Sequence, residues 1–338
     1  MCVGSALVRT PLTILLSPKM RDELAAKIAS TLGAQSASLV TVDEQIALER
    51  NAVDIAFISR DVTGLATKHE LTPEVLAFHT VLRRSNALQW VHIHSTGADR
   101  AIYPELRARG VTVTTSPGAN AEVVAQTALA GLLALARKFP QMMAAQQART
   151  WASLATALPR DLAGQTALIV GWGRIGQRIG ALLRFLGLHV IVARHSGQPV
   201  EQDGIETVAL SRLHHALPRA DWLLLACPLS DTTRALIDAR AFAALPRGAH
   251  FINVARGEVV VQHHLIAALQ SGHLGGAYLD VFEHEPLGAD SPLWHLPHVI
   301  VTPHSAGLSD GYPRRVAEMF LTNLARWQQA QALLHAIA

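Results

Sequence analysis

The 338-residue sequence predicts an α/β protein built from two doubly wound parallel-sheet domains. Short β-rich apolar runs alternate with helical patterns almost throughout. The runs are apolar at consecutive positions, as strands covered on both faces are. They also fall into two series, separated by a long alanine- and leucine-rich stretch. The length gives a prior of about two domains, each able to bury a core without disulfide or metal staples.

The first series predicts strands over 13–16, 38–42, 54–58, 89–93 and 111–114, with helical patterns between them at 19–32 and 73–84. Ser116-Pro117-Gly118 is a turn cluster that stops it. Positions 120–139 follow, with a composition that sustains a helix of about five turns. The second series predicts strands over 167–170, 188–193, 222–226, 249–254, 276–279 and 298–301. After Gly311, positions 312–327 repeat apolar residues at helical spacing. The two long helices bracketing the second series are expected to be the crossings between domains.

Half the residues are apolar and 16% are charged, which excludes a disordered chain. No apolar run approaches the ~20 residues of a membrane span, so no membrane partner is expected. Positions 1–10 lack a basic segment before an apolar core, so 13–16 reads as a first strand, not a signal peptide. The two cysteines, Cys2 and Cys227, offer no disulfide framework, and a reducing cytoplasm is the expected location. The formal charge is +3, from 29 basic and 26 acidic residues without a Lys/Arg run, so no nucleic-acid partner is expected. Seventeen histidines raise the question of a metal. His263/His264 and His214/His215 are adjacent on helices, His92 and His94 share a strand face, and no His-Glu-x-x-His occurs. That spacing fails zinc geometry, and no metal is expected.

The strongest local signal is Gly171-Trp172-Gly173-Arg174-Ile175-Gly176, directly after the strand 167–170 and opening a helix to about Leu186. In that context the first glycine makes a tight turn, the second admits a pyrophosphate, and the third packs helix on strand. The helix N-terminus, with its free N–H groups, faces the phosphates. Gly171, Gly173, Arg174, Ile175 and Gly176 are therefore expected to bind a dinucleotide. The next strand ends at Ala193, followed by Arg194-His195-Ser196, where an NAD site usually places an acid for the ribose 2′-hydroxyl. A guanidinium pairs with a 2′-phosphate instead. NADP(H) is thus the expected cofactor, with NAD(H) as the alternative if Glu201 or Asp203 supplies the acid.

Three later segments place polar residues just past parallel strands, the edge where open α/β sheets bind ligands. They are Asn253-Val254-Ala255-Arg256-Gly257, Asp280-Val281-Phe282-Glu283-His284-Glu285-Pro286 and Thr302-Pro303-His304-Ser305-Ala306-Gly307. Reducing a ketone requires a proton at the carbonyl oxygen as hydride reaches carbon, and histidine titrates in the useful range. A carboxylate beside the imidazole favours its protonated form. An arginine holds a substrate carboxylate or polarises the carbonyl. His304 is expected to be the acid/base, Glu285 its partner and Arg256 the substrate clamp.

Taken together, these motifs and Cys227-Pro228-Leu229-Ser230 through Thr233 resemble the D-isomer-specific 2-hydroxyacid dehydrogenase family over nearly the whole chain. The resemblance implies that Arg256, Glu285 and His304 are catalytic. It also implies a Rossmann-type cofactor domain, 119–307, inserted into a flavodoxin-like substrate domain, 1–118 with 308–338. A homodimer formed through the cofactor domain goes with it. Cys227, Pro228 and Thr233 are expected at the cofactor, and Asp280 with the backbone of Val254 and Ala255 at its nicotinamide end. Ser95-Thr96-Gly97-Ala98-Asp99 looks like the family's substrate loop, with the backbone N–H groups of Thr96 and Gly97 binding the substrate carboxylate. That loop and the trio fall on different domains, so domain closure is expected. Gln126 departs from the glutamate that relatives often carry.

Intact Glu285 argues against formate as substrate, because the family's formate dehydrogenases resemble a glutamine variant. Arg194 resembles NADPH-dependent glyoxylate/hydroxypyruvate reductases, and reduction of one of those small 2-oxo acids is the expected activity. The alternatives are an NAD-dependent dehydrogenase of another D-2-hydroxy acid or of phosphite, and a catalytically silent NAD(P)-sensing scaffold. Trp294, Trp90, Leu71 and Tyr312 are the candidates for walls of the substrate cleft.

Overall fold

The computed structural model describes residues 11–47, 52–64, 66–67, 70–155, 157–200 and 204–337. Cys2, Glu201 and Asp203 lie outside these residues. Contacts divide the chain into two units, Met1–Ala119 with Asp310–Ala338, and Asn120–Ser309.

The first unit holds β1 (Leu12–Leu15), β2 (Ala37–Val40), β3 (Ile55–Ile58), β4 (Trp90–Ile93) and β5 (Thr112–Thr114). They form one parallel sheet in the order β2-β1-β3-β4-β5. Alternate side chains feed two cores. Leu12, Ile14, Phe57 and Trp90 pack with the helices Pro18–Leu32 and Tyr312–Gln328, while Leu15, Ala56, Ile58, Val91 and Ile93 pack on the other face. Helix Pro18–Leu32 starts where its sequence dictates. Pro18 needs no N–H partner in the first turn, and the Ser17 hydroxyl accepts a hydrogen bond from the Met20 N–H at 3.1 Å.

The second unit holds β6 (Thr166–Val170), β7 (His189–Arg194), β8 (Ile205–Ala209), β9 (Trp222–Leu225), β10 (His250–Asn253), β11 (Gly276–Leu279) and β12 (Val299–Val301). All are parallel, in the order β12-β11-β10-β9-β6-β7-β8. Ala167, Ile169, Trp222, Leu224 and Ile252 face the core shared with the helices Ala121–Ala136 and Arg174–Phe185. Leu168, Val170, Leu223, Leu225 and Phe251 fill the opposite core. Both orders reverse direction once, between β1 and β3 and between β6 and β9. Such points open a crevice beyond the strands' carboxyl ends.

Three expectations need correction. The second sheet has seven strands, not six, because β8 pairs with β7 at the edge. Its side chains are only half-buried, so Ile205–Ala209 lacks an apolar run. The helix expected over 120–139 is two helices, Ala121–Ala136 and Phe139–Gln147, separated by Lys138 at φ 61°. Pro140 is compatible only with a new first turn. Trp90 is no cleft wall: it is fully buried, and its indole N–H donates to Thr114 Oγ1 at 2.8 Å. Trp294 is about half exposed and donates to the Gly288 carbonyl. Leu71 is half-buried, and Tyr312 lines a cavity of about 170 Å³ within the first unit.

Candidate active site

The turn from β6 into helix Arg174–Phe185 depends on its glycines. Gly171 has φ 100°, and a Cβ there would lie 2.6 Å from the Cys227 backbone nitrogen. A Cβ on Gly176 would collide with the Gly171 carbonyl, so that glycine sets how closely the helix crosses the strand. Gly173 is different: a Cβ there would meet nothing within 4 Å. Space is therefore open at the helix N-terminus, where the chain needs room for a pyrophosphate. The residues present fit a dinucleotide. Arg174 is exposed beside that opening and Ile175 is half-buried. Sequence reasoning missed Gly180, where a Cβ would lie 2.5 Å from the Trp172 ring; its absence lets the indole fold onto the helix. A glycine nearly two turns inside a helix that follows a loop tryptophan was the available signal.

Across the turn, Cys227 is buried, and burial pushes its thiol up to about 11, so it is neither anionic nor nucleophilic. Thr233 is also buried. Its hydroxyl donates to the Pro228 carbonyl at 2.7 Å and accepts from the Ser230 N–H at 2.8 Å, holding the 228–233 turn. Pro228 itself is exposed. Arg194 ends β7 half-buried, with His195 and Ser196 exposed in the turn that follows. The Gly197 N–H closes this turn onto the Arg194 carbonyl at 3.2 Å.

The carboxyl ends of β10, β11 and β12 carry the polar rim. After β10, the buried Asn253 side chain accepts from Ala255 N–H at 3.0 Å and donates to the Arg256 carbonyl at 3.1 Å. Val254 and Ala255 are buried, and the half-buried Arg256 donates from Nη1 to the Ala255 carbonyl at 2.8 Å. Gly257 then presses on the next loop so closely that a Cβ would fall on the Phe282 carbonyl group. Asn253 and Gly257 were legible as members of the motif, but their roles, the Asn253 clamp on its own turn and the Gly257 contact with the next loop, show only in the structure.

After β11, the Glu285 carboxylate bridges two partners. Oε1 accepts from the Phe282 N–H at 3.0 Å, and Oε2 lies 2.7 Å from His304 Nδ1. Glu285 is 10% exposed and His304 49%, so an immersed carboxylate orients a half-exposed ring. His304 sits at φ 49°, in the left-handed region that non-glycine residues rarely occupy. Asp280 supports that turn. Its carboxylate accepts from Ser305 and Ala306 N–H at 2.8 and 3.0 Å, and its carbonyl accepts from His304 N–H at 2.8 Å. Holding this turn is a role of Asp280 that its place in the motif did not disclose.

Thr96 and Gly97 belong to the first unit, just past β4. The Ser95 hydroxyl donates to the Gly97 carbonyl at 2.7 Å, which closes the loop. The nearby His92 and His94 are buried. Desolvation pulls both imidazoles down to about 3, so they are neutral hydrogen-bonding core residues. His92 Nδ1 lies 2.8 Å from Thr114 Oγ1, and His94 Nδ1 lies 3.1 Å from the Tyr312 hydroxyl. Among the described residues, no group of three or more His, Cys, Asp or Glu side chains is placed to hold a metal, and no helix is long and apolar enough to cross a membrane.

Residues 129–306 match the model of the D-isomer specific 2-hydroxyacid dehydrogenase, NAD binding domain. A glyoxylate reductase of Korarchaeum cryptofilum is 32% identical over 258 residues, covering 74% of this chain and 76% of that protein. A D-3-phosphoglycerate dehydrogenase of Mycobacterium leprae is 37% identical over 226 residues, 66% of this chain but only 42% of the relative. Among solved structures, the NADPH-dependent glyoxylate/hydroxypyruvate reductase of Sinorhizobium meliloti, in complex with NADP and sulfate, superposes with TM-score 0.75 at 26% identity. That match covers 97% of this chain and 98% of the other. The chain belongs to the D-isomer specific 2-hydroxyacid dehydrogenases, NAD(P)-dependent oxidoreductases acting on the CH–OH group of their donors.

Proposed function

We propose that the protein reduces glyoxylate or hydroxypyruvate with NADPH, using His304 as the proton donor, Glu285 as its partner and Arg256 as the substrate clamp. The observation that carries this reading is the 2.7 Å Glu285–His304 contact on the rim beyond β11 and β12. The bound nicotinamide cofactor supplies the hydride. Glu285 holds Nδ1, so Nε2–H is the group free to protonate the substrate's carbonyl oxygen. Arg256, on the neighbouring strand end, pairs with the substrate carboxylate and balances charge developing on the oxygen. The backbone N–H groups of Thr96 and Gly97, in the first unit, are assigned to substrate binding. Asp280 and the backbone at Val254 and Ala255 are assigned to the nicotinamide end.

The preference for NADPH rests on Arg194 at the end of β7, with His195 and Ser196 beside it. Gly171, Gly173, Arg174, Ile175 and Gly176, with Cys227, Pro228 and Thr233 across the turn, complete the assigned cofactor site. A panel of short 2-oxo acids, assayed with each reduced cofactor, tests the function. Glyoxylate or hydroxypyruvate is expected to give the highest kcat/KM, with NADPH. Arg194→Ala is expected to raise the KM for NADPH about 10- to 100-fold, the value of charge-assisted hydrogen bonds, and to leave NADH nearly unchanged. Equal losses with both cofactors would remove the 2′-phosphate assignment.

A homodimer through the cofactor unit is part of the same proposal. Helix Phe139–Gln147 buries none of its residues, and Phe139, Met143, Leu158 and the 98% exposed Trp151 cluster along 139–158. Large apolar side chains exposed this close together along the chain support an association site. Sedimentation is expected to give a dimer that Met143→Glu with Trp151→Glu converts to monomer. An unchanged mass would place the interface elsewhere.

A further inference from the structure

The turn that carries His304 is tied to a helix by a hydrogen-bonded chain that begins at Tyr278. Helix Ala121–Ala136 has a notch at Gly131, where a Cβ would overlap the Tyr278 ring. The ring lies in that notch, buried, and its hydroxyl reaches Thr302 Oγ1 at 2.8 Å. Thr302 Oγ1 in turn donates to Asp280 Oδ1 at 2.6 Å. Thr302 has a single hydroxyl hydrogen, so in this chain Tyr278 is the donor to Thr302. Burial pushes the Tyr278 phenol up to about 12, which keeps that hydrogen in place at any physiological pH. The receiving carboxylate is the one that accepts the Ser305 and Ala306 N–H groups. From the same helix, the Thr127 hydroxyl, which shares its hydrogen with the Val123 carbonyl at 2.9 Å, lies 3.1 Å from the Ala306 carbonyl.

We infer that Tyr278 is a positioning residue for the reaction: through Thr302 it orients the Asp280 carboxylate, which holds residues 302–306 so that His304 keeps its left-handed conformation. This inference rests on His304 being the proton donor. A left-handed non-glycine residue persists only where its surroundings over-determine it. Here three donors fix one carboxylate, and the phenol fixes the hydroxyl donor among them. Without the phenol, Thr302 Oγ1 loses its buried donor and can rotate away from Asp280. The turn then samples other conformations and the imidazole leaves its place above the rim.

The test compares Tyr278→Phe, which removes one oxygen and keeps the ring, with Thr302→Val and Thr302→Ser in the full-length protein. Tyr278→Phe is expected to lower kcat about 5- to 10-fold, the worth of one hydrogen bond, and to leave the KM for the 2-oxo acid within about twofold. Thr302→Val is expected to lose more and Thr302→Ser to recover most of it. The double variant Tyr278→Phe/Thr302→Val should be no worse than Thr302→Val alone, since the two groups act in series. Hydrogen exchange at the Ser305 and Ala306 amides should quicken in Tyr278→Phe. Wild-type kcat and exchange in Tyr278→Phe, or losses that simply multiply in the double variant, would overturn the inference. So would a lowered Tm with unchanged kcat per folded molecule. If His304→Ala itself retained turnover, the proton-donor reading would be the one to fail.

Discussion

His304→Ala is expected to lower kcat for 2-oxo acid reduction about 10²- to 10⁴-fold, the range for a lost general acid. Water can replace the imidazole only at random orientation, because nothing at position 304 would then hold a proton against the carbonyl oxygen. The glycine turn at 171–176 and Arg194 lie on β6 and β7, whereas His304 follows β12 at the far side of the sheet. Affinity for NADPH should therefore stay within about twofold. Stopped-flow reduction measures the first quantity and cofactor fluorescence titration the second. A kcat near wild type would remove His304 from the chemistry. Equal losses in kcat and cofactor affinity would indicate a displaced turn, not a missing acid. Glu285→Gln provides the companion measurement. Glutamine still accepts the Phe282 N–H but no longer offers Nδ1 a negative partner, so its loss should be real yet smaller than that of His304→Ala.

What the sequence disclosed and what it hid follow from different physics. Strands buried on both faces read as apolar runs, which is why β6, β9, β10 and β11 were legible and why edge strand β8, half solvated, was not. The Ala121–Ala136 helix looked longer because alanine and leucine give no local stop; only Pro140 and the left-handed Lys138 end it. The glycine turn was legible because its spacing reflects a ligand's shape. Arg256, Glu285 and His304 were proposed from position, and they follow the ends of β10, β11 and β12 respectively. Seventeen histidines had pointed nowhere by number alone. Burial makes His92 and His94 hydrogen-bonding core residues, while His304 is set apart by a carboxylate at 2.7 Å. Gly131 and the close packing of Gly257 were illegible for one shared reason. Each glycine is small because something distant in sequence approaches it, and a single sequence does not display approach.

Gly257→Ala is expected to lower kcat/KM about 10²-fold, although the substitution adds one methyl group and removes no functional atom. Gly257 does not require a left-handed backbone, so the effect is steric. The methyl would fall on the carbonyl group of Phe282, and backbone cannot rotate aside as a flexible side chain would. The loops after β10 and β11 must separate. Arg256 precedes the new methyl directly. On the other loop, the Phe282 N–H holds Glu285 Oε1 at 3.0 Å, and Glu285 Oε2 holds His304 at 2.7 Å. One displacement therefore moves Arg256 away from His304 and Glu285, and on the proposed roles a misplacement of about 1 Å between reacting groups costs about 10²-fold. The glycine turn is untouched, so NADPH should still bind, and a fluorescence titration would register that. Near-UV circular dichroism should remain native, with Tm lowered by several degrees for an overpacking cost of about 1–3 kcal/mol. Wild-type kcat/KM in a variant with native spectra would mean that the contact between these loops does not set the geometry of Arg256 and His304.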